Sequence, residues 1–167
     1  LNIPNNEYIP NQKLSISYVG ILGNGRGLMN LIRLASEHPE VEVTVGGFGP
    51  LEKEFKKASE LPNFNFKGRV DYSTALEIMS NSDLIYAMYE RVNPNHILAA
   101  PNKYYEGLAL GRPVITTVGT LVGDKVNKYD TGYCIDEQYE SLDKLISDID
   151  RIDISSKSLN ASDLWNN

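Results

Sequence analysis

Short apolar runs ending in glycine alternate with amphipathic stretches along the chain, and this alternation narrows the fold more than any other feature. Leu14-Ser-Ile-Ser-Tyr-Val-Gly20 reads as a first strand, followed by a helix with Leu28, Leu31, Ile32, Leu34 and Ala35 on its apolar face. Val41–Val45 is a second strand closed by Gly46-Gly47. The next helix opens at Pro50, a favoured first-turn residue, and runs through Glu52, Phe55 and Lys56. Asn63–Phe66, closed by Gly68, is a third strand, and Ser73 caps a helix bearing Leu76, Ile78 and Met79. Asp83–Met88 is apolar almost throughout, the pattern of a strand buried on both faces. A helix from about Asn102 to Leu110 stops at Gly111, and Arg112–Thr117 is a fifth strand with Pro113 tolerated at its start. A short helix over Val122–Lys128 and a sixth strand over Gly132–Ile135 follow. An amphipathic helix then gathers Tyr139, Leu142, Leu145, Ile146 and Ile149. This order predicts an α/β, Rossmann-like three-layer domain with a parallel sheet of about six strands.

Residues 1–13 hold two prolines and four asparagines and read as a linker; 14–150 form the Rossmann-like domain, and 151–167 a C-terminal tail or helix. At 167 residues the chain has room for one real core. It opens on Leu1 rather than Met and reads as a piece of something larger. A net charge of -6 argues against nucleic acid as a partner, because no basic excess exists to neutralise a phosphate backbone. Cys134 is the one cysteine, and His38 and His96 lack metal-ligand spacing, so neither a disulfide nor a metal site is expected. No apolar run has the length of a transmembrane segment and no signal peptide is visible, which implies a cytoplasmic domain.

In such sheets ligands bind beyond the carboxyl ends of the strands, so the loops there carry the chemistry. Gly20–Gly27 is glycine-rich and holds Gly25 and Arg26 just ahead of a helix N-terminus. It suits either a phosphate or a tight turn with a solvated arginine; a helix dipole supplies roughly 0.3–1 kcal/mol for an anion, so a full charge is needed as well. Gly46-Gly-Phe-Gly-Pro50 reads slightly better as close packing than as ligand contact. Gly68-Arg-Val-Asp71 offers backbone to a flat base, and His96 reads as a surface or satisfied histidine more readily than a catalytic one. Asn102 and Lys103 stand at the start of a helix, with Glu106 one turn on. Spacing alone leaves two readings level: a solvated Lys–Glu pair, or a cation for phosphate beside a carboxylate for vicinal hydroxyls.

Pro101-Asn-Lys-Tyr-Tyr-Glu-Gly-Leu-Ala-Leu-Gly-Arg-Pro-Val-Ile115 resembles the P-x-K-x-x-E-x-x-A-x-G-x-P-V-I signature of the group 1 glycosyltransferases, retaining enzymes of GT-B fold with two Rossmann-like domains facing across a cleft. The resemblance extends to Tyr18–Gly27, Val45–Leu51, Phe66–Val70 and Ser82–Ile85. Ile3-Pro-Asn5 resembles the end of the interdomain linker, and Trp165 a tryptophan near the C-terminal helix. It implies the donor-binding half of an enzyme that moves a sugar from a nucleotide diphosphate sugar to an acceptor hydroxyl, in surface or capsular polysaccharide synthesis. By resemblance, Gly25 and Arg26 meet phosphate, Arg69, Val70 and Asp71 hold the base largely through backbone, and Asn102 and Lys103 meet the diphosphate. Glu106 takes the ribose hydroxyls, and Gly119 and Thr120 belong to a further loop near the donor. No metal cofactor is implied, and no catalytic residue is assigned. A saccharide or lipid-linked acceptor is expected through a missing N-terminal domain, toward which 151–167 would pack, in a protein that is cytoplasmic or membrane-peripheral.

Two positions depart from the family pattern. Ile21 stands where many members have an arginine, leaving Lys103 or Arg91 as the second cation, and Leu98 stands where many have a glutamate near the transferred sugar, leaving Asn95 and His96 close by. An epimerase or hydrolase of the same fold, and a non-catalytic nucleotide-binding or scaffold module, are the competing readings.

Overall fold

The structure, a computed structural model, describes residues 7–167. The part of the linker reading that rests on Ile3-Pro-Asn5 lies outside them. Six strands, β1 (Ser15–Ile21), β2 (Glu42–Phe48), β3 (Phe64–Phe66), β4 (Leu84–Ala87), β5 (Val114–Thr117) and β6 (Gly132–Ile135), form one sheet in the order β3-β2-β1-β4-β5-β6. Every pairing is parallel, as the strand–helix alternation predicts. The helices are α1 (Leu28–Glu37), α2 (Glu52–Ala58), α3 (Tyr72–Ser80), α4 (Pro94–Ile97), α5 (Asn102–Leu110), α6 (Leu121–Tyr129), α7 (Tyr139–Asp148) and α8 (Arg151–Asn166).

Side chains of a strand alternate between faces, and β4 with its exit shows the result. Leu84, Tyr86 and Met88 join the core formed with Leu31 and Leu34 of α1, Phe55 of α2 and Leu142 of α7. Ile85, Ala87 and Tyr89 join the opposite core with Met79 of α3, Tyr104 and Leu108 of α5, and Val126 of α6. A strand with no solvent face has no polar side to alternate with, which is why Leu84–Ala87 is apolar at every position.

Several boundaries differ from the sequence expectation. The cap of α3 is Asp71, whose carboxylate accepts from the Thr74 N–H at 2.8 Å, and Ser73 lies inside the helix. A carboxylate is the stronger acceptor for that free N–H, and the bond holds Asp71 below the usual carboxylate range. β2 runs on through its two glycines to Phe48, while Pro50 and Leu51 form a turn ahead of α2. The glycines are needed there: a Cβ on Gly47 would lie 1.9 Å from the Gly20 carbonyl oxygen. Close strand packing therefore accounts for this turn. The four-residue α4 is not foreseen at all. α8 packs along α5 of its own domain, burying Ile154, Lys157, Ser158 and Ala161.

The amino end of the sheet is organised by one carboxylate. Asp83, fully buried at the entry to β4, accepts from the Tyr8 hydroxyl (2.7 Å), the Asn11 N–H (3.1 Å) and the Ser15 N–H (2.9 Å) and hydroxyl (3.1 Å). The Arg151 Nη1 lies 3.0 Å from Oδ2. Arg112 covers the Tyr8 ring at 5.1 Å and donates to the carbonyls of Ser80, Leu110 and Gly111. One acidic side chain thus joins residues 7–15, β4 and the start of α8. Removing it leaves four part-buried donors and a cation without their acceptor, so Asp83→Ala should lower the unfolding free energy by about 3 kcal/mol in urea titration. A loss below about 1 kcal/mol would show that the donors find water or other partners.

Candidate functional site

Strand order reverses at β1: β2 and β3 lie on one side, β4 to β6 on the other. Helices after β1 and β4 leave on opposite faces, so a crevice opens between the carboxyl ends of these two strands. The structure has there a cleft of about 540 Å³ floored by Val19, Ala75 and Met79. Arg26, Asn102, Lys103 and Glu106 line it together with Tyr72, Tyr89, Asn95 and His96. A larger groove of about 810 Å³ lies beside α3 at the amino ends of β1 and β2; of the sequence candidates it holds Val70 alone.

Arg26 is delivered by the turn after β1. Gly25 and Gly27 adopt left-handed backbone (φ 82° and 59°), which lets the chain reverse tightly around the arginine. The turn is tied down at both: the Glu90 N–H donates to the Gly25 carbonyl at 2.9 Å, and the Tyr86 hydroxyl to the Gly27 carbonyl at 2.8 Å. The Arg26 guanidinium carbon stands 5.7 Å from the centre of the Tyr89 ring. At the mouth of α1 itself, the Gly27 N–H meets Glu90 Oε1 at 3.4 Å, and Glu90 and Glu137 line the hollow next to the glycines. This helix end is therefore already served by the protein's own acid, and the positive charge offered to the cleft is the Arg26 side chain.

α5 is different. Its capping position is Pro101, which has no side-chain acceptor for the first N–H groups of the helix, and Asn102 and Lys103 of that first turn line the cleft. By contrast α3 is capped by Asp71, and α6 by Thr120, whose hydroxyl accepts from the Gly123 N–H at 3.0 Å. The Lys103 Nζ lies 4.8 Å over the Tyr18 ring and just above Gly20, where a Cβ would come within 2.8 Å of it. Among the described residues no carboxylate stands within 4.0 Å of this ammonium, so the Lys103–Glu106 ion pair does not form. Burial, and then repulsion from Arg26, draw the Lys103 amine down to about 8, while Glu106 acts in the opposite direction. Glu106 also faces Tyr72, whose phenol it helps to push up after burial. Two cations thus converge on one cleft, neither of them ion-paired among the described residues.

The remaining candidates lie apart from this lining. Arg69 is exposed and stacks 3.9 Å from the centre of the Phe48 ring. Val70 packs toward Gly46, and Asp71 is engaged in capping α3. Thr120 is buried with its hydroxyl used by α6 and by the Thr117 carbonyl, and Gly119 stands beside Arg91. Gly25 borders the cleft through His96, whose Cε1 would lie 3.2 Å from a Cβ there. His96 is a satisfied histidine: Nδ1 bonds the Glu90 carbonyl at 3.0 Å, and Asn93 Nδ2 lies 3.3 Å from Nε2. Of the two replacements considered for the cation absent at Ile21, Arg91 is held by Asp136 (2.6 Å) and Glu137 (2.9 Å), leaving Lys103. Leu98 is 76% exposed and does not line the cleft. Tyr18, Tyr72 and Tyr89 are the site residues that sequence reading missed. Nothing in an apolar strand end distinguishes a tyrosine that packs in the core from one that also carries a cation. Among the described residues no group of three or more His, Cys, Asp or Glu side chains converges as a metal site, and no helix is long and apolar enough to cross a membrane.

Among solved structures, the chain is similar to WaaG, a glycosyltransferase involved in lipopolysaccharide biosynthesis (19% identity, TM-score 0.65, 95% of this chain and 44% of that one). It is also similar to Anabaena Alr3699/HepE in complex with UDP and glucose (16%, 0.69, 92% and 44%). A third is the C-terminal domain of the glycosyl transferase group 1 family protein LpcC from Francisella tularensis (21%, 0.65, 92% and 84%). At these identities the likeness is one of fold. The chain spans less than half the length of the first two. No curated protein matches it. The family model described as glycosyl transferases group 1 matches residues 2–160, and the chain belongs to that family.

Proposed function

We propose that the β1–β4 cleft binds the diphosphate and ribose of a nucleotide diphosphate sugar, as the donor half of a retaining glycosyltransferase. The observation that carries this reading is the convergence of Arg26 and Lys103, unpaired, beside the uncapped end of α5. Glu106, one turn further along, is a ready acceptor for two ribose hydroxyls. Family membership supports glycosyl transfer, and the likeness to a fold seen with UDP and glucose supports a nucleotide-sugar donor. Arg69, Val70, Asp71, Gly119 and Thr120 would then meet the base and donor through backbone groups, their side chains being engaged elsewhere. Retention, and a role in surface or capsular polysaccharide synthesis, rest on the family resemblance and on the lipopolysaccharide enzyme among the similar folds.

Transfer in this scheme depends on electrostatic stabilisation of the departing diphosphate by charges already in place, with no metal needed. The saccharide or lipid-linked acceptor and the group assisting proton transfer come from a companion domain, in keeping with the share of the relatives that this chain spans. The enzyme would act in the cytoplasm or at a membrane periphery.

Calorimetry with UDP and GDP tests the reading. At least one should bind, and Glu106→Ala should weaken it by about tenfold, the worth of a charged hydrogen-bond acceptor. Binding of neither nucleotide would return the cleft to a scaffold role, and sugar interconversion without acceptor in the parent enzyme would indicate an epimerase.

The Lys103 amine adds a pH signature. Only its protonated form attracts a diphosphate, so affinity should hold below about pH 8 and decline above it, whereas Lys103→Arg should stay flat across that range. In the unliganded fold the same ammonium is a cost, because it is more acidic there than in the unfolded chain. The unfolded state binds more protons between about pH 8 and the ordinary lysine value, so the penalty is full below that window and fades across it. Lys103→Met should therefore stabilise the unliganded protein at pH 7, by on the order of 1 kcal/mol in urea titration, with the gain vanishing toward pH 10.5.

A further inference from the structure

Lys103 has no carboxylate partner among the described residues, yet its ammonium has a defined seat. The Tyr18 ring lies beneath it at 4.8 Å, and Tyr18 is only 1% exposed, packed among the core side chains of β1. The backbone of Gly20 closes the seat from the β1 side: a Cβ there would stand 2.8 Å from Nζ and 3.3 Å from Cε of Lys103. The Tyr18 hydroxyl has a separate task. It donates to the Ile21 carbonyl at 2.7 Å, at the root of the glycine turn that delivers Arg26. Burial pushes this phenol up to about 12, so it remains a neutral donor at working pH.

We propose that Tyr18 is the positioning residue of the cation pair, its ring seating the Lys103 ammonium and its hydroxyl anchoring the turn that carries Arg26. The aromatic face supplies attraction without neutralising the charge, which a carboxylate in the same place would do. A salt-bridged lysine would have to give up its partner to meet an anionic ligand; a lysine on a ring does not. The relevance of this seat to ligand binding rests on the nucleotide diphosphate reading above. The groups facing Lys103 or lining its cleft are Tyr18 of β1, Arg26 of the following turn, Tyr72 of α3, Tyr89 after β4, His96 of α4 and Glu106 of α5.

The seat is testable without any nucleotide. In reductively ¹³C-methylated protein followed by NMR, the Lys103 dimethylamine should titrate in Tyr18→Leu about one pH unit below its position in the parent, since a desolvated cation–π contact is worth that much. Tyr18→Phe, which keeps the ring, should leave that titration in place. It should nevertheless weaken UDP or GDP several-fold by loosening the Arg26 turn. If Tyr18→Leu fails to fold, the parent itself still decides the question: the Lys103 ε-protons should show an upfield ring-current shift. Absence of that shift, or a Lys103 titration indifferent to loss of the ring, overturns the proposal whether or not nucleotide binds. Unchanged nucleotide affinity in Tyr18→Phe overturns the role of the hydroxyl. Failure of both nucleotides to bind the parent would instead strike at the reading of the cleft, and the titration would still decide whether the seat exists.

Discussion

The reversal of strand order at β1 is the constraint on which the remainder depends. A parallel sheet that grows outward in both directions from one strand leaves the exits of β1 and β4 side by side, with their following helices on opposite faces. That geometry brings a glycine turn, residues 20–27, against the loop that begins at Tyr89, although they are more than 60 positions apart. The Glu90 N–H of that loop donates to the Gly25 carbonyl, and the Tyr86 hydroxyl of β4 to the Gly27 carbonyl, so the turn is tied to both the strand and its exit. The cleft is a by-product of topology; what lines it is a matter of side chains.

Charge is sharply partitioned around that cleft. The chain is acidic overall, with a net charge of -6, yet two cations face the crevice unpaired. On the other side of the same turn, Glu90 and Glu137 line the hollow at the glycines, Glu137 being paired with Arg91, while Glu106 is the one carboxylate lining the cleft among the described residues. Helix starts differ in how they are served: Asp71 caps α3, Thr120 caps α6, Glu90 meets the Gly27 N–H ahead of α1, and α5, like α2 and α7, has no side-chain cap among the described residues. An uncapped start carries a cost in stability. Here it coincides with the signature stretch from Pro101 onward, where a ligand would supply the missing acceptor.

The fold was largely legible because β4 and its neighbours follow simple burial rules. All six strands fall where apolar runs end in turns, and the period-2 pattern disappears only where both faces are covered. α8 carries a weaker sequence signal because its buried side is not apolar: Lys157 and Ser158 sit in it alongside Ile154 and Ala161, with Lys157 meeting Asp130 and Ser158 bonding the Gly111 carbonyl. A helix held by polar contacts leaves no stripe to read. The cleft was half legible. Arg26, Asn102, Lys103 and Glu106 are brought together, while Arg69, Asp71 and Thr120 turn their side chains to stacking or capping. Which polar residue serves a helix end and which faces a ligand depends on side-chain direction, and spacing alone does not encode that.

The carboxylate of Asp83 is also a junction. Residues 8, 11 and 15 reach it from the segment leading into β1, and the charge of Arg151 approaches it from the first turn of α8. Two stretches of chain more than 130 positions apart thus share one attachment, and the second of them is a helix of 16 residues that lies along α5, the element that presents Lys103 and Glu106.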